Sequence, residues 1–341
     1  MYALTAIASS LYSPFPLLSL WKGFEVLAHM SVALMVGSFL LEKDDVQDVL
    51  NLILLLLWFF TISAIAGAIV SPEVAIQRIK GGGVMAFYLA GVYPPVNPNS
   101  LSQLSGLLAA IMFCRLLLAE KMTHRLGVVM VFIPALACLI LSHSRTSLSA
   151  FLLAGCLIVF IARRKVIAIV GLWIGSVIAL SGIGFALVTE YIFRGQTKEV
   201  LASWSGRLDF WPIVWEKIIE SPIFGHGFYA SQRMKWGLST VDNTYLEVML
   251  GVGLIGLGFF CGAVLTAIVN LWRTRPSRRE MPSDNTWRFL WLQLAVLFIF
   301  LFIRSLTGPS FQVHNINLSL FALLLVCCSA MVRLQKSEMQ N

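Results

Sequence analysis

This 341-residue sequence predicts an all-α fold: a polytopic transmembrane helix bundle of about nine spans with one large outer loop. Three observations carry that reading. Hydrophobic residues make up 58% and charged residues only 12%, with a mean hydropathy of +0.83, whereas soluble domains carry roughly 25% charged residues. Apolar runs recur at about 17 to 25 residues, enough to cross a hydrocarbon core and far longer than barrel strands. Backbone in lipid must satisfy its own hydrogen bonds, so such runs are helices. Finally, the polar residues are concentrated in one stretch, Thr189 to Asp242, while nearly every other hydrophilic segment is a short turn.

In chain order the spans are read at 24–41, 49–70, 101–119, 126–142, 146–162, 166–188, 244–272, 288–307 and 317–332. The first is the weakest, because Glu25 and His29 interrupt it. The segment 84–92, VMAFYLAGV, is too short to cross and reads as re-entrant or surface-packed. The chain is one membrane domain, 1–341, with the loop 189–243 inserted between spans six and seven. Within that loop Arg207–Glu220 alternates apolar and charged residues at helical spacing, so Trp211, Trp215, Ile218 and Ile219 can share a face of an interfacial helix.

Charge orients the bundle. With Arg163, Arg164 and Lys165 placed in the cytoplasm, the inner side receives fourteen Lys or Arg and the short outer segments five: Lys22, Arg78, Lys80, Arg145 and Arg304. Basic residues favour the cytoplasmic side, and long loops weigh little in that count. The polar loop is therefore outside and the C-terminus inside. This leaves Met1 outside, which calls for an N-out start or an odd number of upstream helices. The first twenty residues do not read as a cleavable signal peptide. The net charge of +8 is a topology signal and implies no nucleic-acid partner. All six cysteines lie in apolar runs, which offers neither a disulfide framework nor a metal-spaced Cys/His set.

Several polar clusters gather on the outer face. Tyr93–Ser100 is a rigid turn containing Asn97; its plain reading is a turn with Asn99 or Ser100 as helix N-cap. Ser142–Ser147 is a very tight hairpin whose Arg145 either snorkels to headgroups or works, and its place on the face disfavoured for Arg supports the second reading. Ser205–Trp211 carries Arg207 and Trp211. Asp242–Glu247 contains Thr-x-x-Glu, a capping box that accounts for Thr244 and Glu247 but leaves Asp242 outside it. His226 and His314 read first as hydrogen-bonded loop residues. Arg304, within the end of a span, is costly unless paired or facing a cavity. The Gly258/Gly262 spacing reads as close helix packing.

Together these residues describe an outward-facing site with at least two arginines and one carboxylate. The guanidinium fork matches phosphate oxygens, and a carboxylate can accept a proton from a hydroxyl nucleophile. No Asp-x-Asp pair or Gly-rich phosphate loop is present. A membrane-bound substrate carrying a pyrophosphate fits that chemistry.

The sequence resembles the O-antigen ligase and O-antigen/exopolysaccharide polymerase superfamily. The matching residues are Asn97-Pro98-Asn99, Ser144-Arg145-Thr146, Ser205-Gly206-Arg207 with Trp211, Ser221-Pro222-Ile223-Phe224-Gly225-His226-Gly227, Asp242-Asn243-Thr244-Tyr245-Leu246 and Gly253-Leu254-Ile255-Gly256. The likeness runs from about residue 10 to the end. Ligases of this kind have twelve helices, so it also implies three N-terminal helices beyond those read here.

The resemblance implies a glycosyltransferase of the bacterial inner membrane, with its active site facing the periplasm. It would need neither metal nor cofactor and would use an undecaprenyl-pyrophosphate-linked glycan as donor. Arg145 and Arg207 would hold the pyrophosphate, Asp242 would act as base, and Arg304, His226, Asn97 and Trp211 would bind substrate. The expected partners are the donor glycan, an acceptor glycan, membrane lipid and other polysaccharide-assembly proteins. Ligases place a His where Asp242 stands here, which favours a polymerase over a ligase delivering glycan to lipid A-core. A lipid-linked oligosaccharide transporter or a non-catalytic scaffold are the readings of another class. Transporters show internal repeats, and none is found in this chain.

Overall fold

The computed structural model describes residues 1–78, 87–118, 122–161, 171, 191, 207–234, 241–276, 285–308 and 316–340. Among them are seven helices long and apolar enough to span a membrane. They are α2 (Pro16–Ser38), α3 (Lys43–Val70), α5 (Pro98–Leu118), α6 (Met122–Leu141), α9 (Thr244–Arg273), α10 (Asn285–Leu306) and α11 (Ile316–Gln340). Shorter helices are α1 (Tyr2–Ala8), α4 (Pro72–Ala75), α7 (Arg145–Ile161) and α8 (Arg207–Glu220). The chain is thus an all-α, multi-pass membrane protein. Eight of the expected spans have a described counterpart, and the span expected at 166–188 and the start of the polar loop lie, apart from Gly171 and Tyr191, outside the described residues.

Helix starts follow local chemistry. Pro16 and Pro98 occupy first helical positions, where no amide hydrogen is needed. In front of α3, Asp45 Oδ2 accepts from the amides of Leu41 and Glu42, both at 2.8 Å. The first span begins eight residues before the expected 24, because the residues that interrupt it are paired inside the helix. Lys22 Nζ reaches both Glu25 carboxylate oxygens at 3.1 Å, and the His29 ring meets the Glu25 carbonyl at 2.6 Å. The described part of 84–92 is not a re-entrant helix but begins with a short strand. Phe87–Leu89 (β2) pairs antiparallel with Ile76–Arg78 (β1), with Gln77 opposite Tyr88.

The residues form two compact units. One comprises Val49–Ala202 with Ala295–Phe300. In it α5 packs on α6 and α7, and Ala64, Ala75, Leu89, Leu101 and Cys138 form a buried cluster. Helix α5 is its centre: 72% of its apolar window is buried, against 17% for α6. The other unit comprises Met1–Asp48, Ser203–Leu294 and Leu301–Asn341. There α2 packs between α1 and α11, and α9 contacts α1, α8 and α11. Trp287 and Trp291 fasten α10 to the end of α9, their indole N–H groups donating to the carbonyls of Thr274 (3.0 Å) and Leu271 (2.7 Å).

Helix α9 is broken. Gly253 has φ +63° and ψ −164°, so residues 244–252 and 254–273 are separate helices across a kink. The glycines expected to pack closely, Gly258 and Gly262, face open space, with nothing within 4 Å of the position a β-carbon would take. Tight glycines stand elsewhere, and at Gly225 and Gly253 the close atoms are backbone atoms across the kink.

Candidate functional site

The turn Ser221–Gly227 is a brace for the broken helix. At the kink the upstream half leaves carbonyls without an intrahelical partner, and the downstream half leaves amides. The turn supplies both. The amides of His226 and Gly227 donate to the carbonyls of Leu250 (2.8 Å) and Gly251 (2.9 Å). In return the amides of Leu254 and Ile255 donate to Pro222 (2.8 Å) and Ile223 (3.4 Å). A side chain at Gly253 would run into the Ile223 carbonyl, and one at Gly225 into the Gly251 carbonyl carbon at 2.6 Å. His226 is fixed as well, its Nε2 donating to the carbonyl of Lys217 at 2.7 Å near the end of α8.

Helix α8 carries the predicted Arg207 at its first position and Trp211, half-buried, one turn later. The placement of the Arg207 side chain lies outside the described residues. The buried face is Val214 and Ile218, which cluster with Val241 and Leu250. Phe210, Trp215 and Ile219 are exposed, so the apolar face expected for this helix is divided between packing and surface.

The start of α9 differs from the expected capping box. Asn243 is the N-cap, its Oδ1 accepting from the amides of Tyr245 (2.9 Å) and Leu246 (3.1 Å). Thr244 is instead buried, and its hydroxyl donates to the Gly308 carbonyl at 2.9 Å. Glu247 is also buried and accepts from the Ser231 hydroxyl at 2.7 Å. The capping-box spacing is present, but tertiary partners claim both of its side chains. Asn243 adds a second tie, Nδ2 to the Leu306 carbonyl at 3.0 Å. These two ties bring half-buried Asp242 to the end of α10, where buried Arg304 lies. The Arg304 guanidinium Nη2 comes within 3.5 Å of a side-chain carbon built on Gly308.

The other unit holds Arg145 and Asn97. Arg145 opens α7 directly behind a polar hairpin in which Ser142, His143, Ser144 and Ser147 are each at most 2% exposed. His143 adopts φ +52°, and its ring lies against Phe87 (5.8 Å), Tyr88 (5.9 Å) and Tyr191 (4.7 Å). Buried hydroxyls beside a helix N-terminus and a half-buried arginine suit an anion. Exposed Asn97 is the N-cap of α5, its Oδ1 accepting from the Ser100 amide at 2.8 Å. The sequence points to Asn99 or Ser100 for that role.

Residues that sequence reading passes over hold the brace from the N-terminal side. Ser9 Oγ accepts from the Phe228 amide at 2.8 Å, Ser19 Oγ donates to the Phe228 carbonyl at 2.8 Å, and the Tyr12 hydroxyl donates to the Phe224 carbonyl at 2.5 Å. Their one signal in the sequence is the recurrence of hydroxyl residues in the first twenty positions. Burial, with Glu247 and Glu25 nearby, raises the Tyr229 phenol above its ordinary range. Among the described residues no group of three His, Cys, Asp or Glu converges as a metal site.

Comparison with known proteins gives one family match: a family model described as O-antigen ligase covers residues 129–261. The matched segment contains Arg145, Arg207, Trp211, His226 and Asp242, and excludes Asn97 and Arg304. No curated protein matches significantly.

Proposed function

With an O-antigen ligase family domain at residues 129–261 as premise, we propose that this multi-pass membrane protein is a glycosyltransferase. It polymerises undecaprenyl-pyrophosphate-linked oligosaccharide units on the outer leaflet of the bacterial inner membrane. The observation that carries the proposal is that one matched segment contains both arginines, the carboxylate and the brace at Ser221–Gly227.

In the proposed step a hydroxyl oxygen of the acceptor sugar attacks the anomeric carbon of the donor. The bond from that carbon to the pyrophosphate oxygen breaks, and the electron pair leaves with the pyrophosphate. The hydroxyl proton passes to the Asp242 carboxylate. Arg145 and Arg207 neutralise the charge that grows on the leaving group, an interaction stronger in the transition state than in the ground state. Arg304, beside the chain that carries Asp242, and Trp211, His226 and Asn97 contribute substrate contacts. No metal or cofactor takes part in this scheme.

Transfer of finished glycan to an acceptor such as lipid A-core is the second reading, favoured by the description of the matching family itself. The broken helix could suggest a transporter, since half-helix ends there hold substrate and ions. Here the freed groups at the break are taken by residues 222–227, which favours a structural role for it.

Glycan analysis of a deletion strain tests the proposal. Products stopping at a single repeat unit identify a lost polymerase. Long chains stranded on undecaprenyl pyrophosphate identify a lost ligase. Unchanged glycan would overturn both.

A further inference from the structure

A cavity of about 780 Å³ lies within the unit built from both ends of the chain, between the N-terminal segment and the brace. Ala8, Leu11 and Tyr12 line one side, Phe224 and His226 of the brace another, and Ile255 in the first turn below the kink completes it. Much of its lining is exposed hydrocarbon: Leu11 is 89% and Phe224 56% exposed. The polar groups at its edge are already engaged. The Tyr12 hydroxyl donates to Phe224, His226 Nε2 to Lys217, and Ser221 Oγ to the Gly225 carbonyl at 2.9 Å.

The broken helix sets the depth of this cavity. The apolar part of α9 beyond Gly253, residues 254–273, rises about 30 Å, which matches the hydrocarbon thickness of a bilayer. A span of that length, ending at Arg273, would put Gly253 at one hydrocarbon boundary and Arg273 at the other. The cavity, bordered by Val252 and Ile255, lies at the first boundary, where the medium beside its exposed apolar lining is lipid. Its occupant is a chain that enters from the bilayer with its head left at the interface. None of the described residues lining it is Lys, Arg, Asp or Glu. The described lining residues therefore offer a pyrophosphate head no counter-charge of their own.

We propose that the cavity is a binding site for one acyl chain of a bilayer phospholipid, which completes the wall between the N-terminal segment and the brace. The proposal goes beyond glycan transfer and does not depend on it.

The test is photolabelling of the full chain in lipid nanodiscs, with phosphatidylethanolamine carrying a diazirine in its acyl chain, followed by peptide mapping. Label is expected on the segments around Ala8–Tyr12 and 221–226, and unlabelled phosphatidylethanolamine should compete it away. Ala8→Trp, which fills the cavity, should reduce labelling there to background. Leu11→Glu, at an exposed lining position whose side chain supports no packing, should do the same without affecting the fold. Gly258→Ala, in open space further along the helix, should label like the parent protein. Label spread evenly over all exposed helix faces, or unchanged in both variants, overturns the proposal. Displacement by undecaprenyl pyrophosphate but not by phospholipid overturns it too, because the occupant is then an isoprenoid.

Discussion

The hydroxyl of Thr244 donates to the carbonyl of Gly308 at 2.9 Å, joining the chain two residues after Asp242 to the chain four residues after Arg304. Both ends of the bond are buried. Thr244→Val keeps the shape but leaves the Gly308 carbonyl without its donor, at a cost of about 1–3 kcal/mol. A lower melting temperature in detergent is expected, with recovery in Thr244→Ser. Equal melting of parent and Val variant would remove this tie from the account.

Asn243 combines a cap with a cross-chain bond, and two variants separate them. Asn243→Ala loses both, and the cap alone contributes about 0.5–2 kcal/mol. Asn243→Asp keeps the acceptor for Tyr245 and Leu246 but cannot donate to Leu306. Thermal unfolding should rank parent, Asp variant and Ala variant in that order.

Glycine matters at Gly253 of α9 and not at Gly258 or Gly262. Gly253→Ala places a methyl group on the Ile223 carbonyl at positive φ, so the brace cannot close. Loss of folded protein from the membrane fraction is expected. Gly258→Ala and Gly262→Ala should accumulate to parental levels, because their surroundings are open.

The proposed transfer chemistry assigns roles to three side chains. Arg145→Ala, Arg207→Ala and Asp242→Asn should each lower glycan transfer by about 100-fold or more while leaving membrane levels unchanged. The lysine variants should recover only part of this, since an ammonium lacks the planar fork. Normal polymer length and yield in the alanine variants would refute the arginine assignment.

His226→Ala removes the donor to the Lys217 carbonyl, so a stability loss of about 1 kcal/mol is expected. His226→Gln retains an N–H donor and should restore the melting temperature. A donor KM that stays raised in the Gln variant would then report the proposed substrate contact separately from the structural one.

Much of the membrane architecture is legible because lipid imposes a one-dimensional rule. A run of apolar residues long enough to cross must be a helix, whatever it packs against. That rule locates α5, α6, α7 and α9 to within a few residues. It misplaces the start of α2, where hydropathy counts Glu25 and His29 as breaks, whereas both have partners within the helix.

The site is legible by residue type and less so by role. Thr244 and Glu247 have the spacing of a capping box, yet Gly308 and Ser231 bind them, and Asn243 caps in their place. Gly258 and Gly262 have the spacing of a packing motif and face open space, while Gly253 takes the strained conformation. A local motif states which bonds a segment can form by itself. Which of them it does form depends on competing partners from elsewhere in the chain.

The sequence by itself determined that this is a multi-pass helical membrane protein, and that residues 129–261 match a family model described as O-antigen ligase, because both rest on composition and local residue order. Only the tertiary structure decided that α9 is broken at Gly253, that Ser221–Gly227 fills the break, and that Asp242 is tied beside the end of α10. Those features are hydrogen bonds between residues up to 64 positions apart. Their energies depend on which groups burial has deprived of water, and that is set only once the helices have packed.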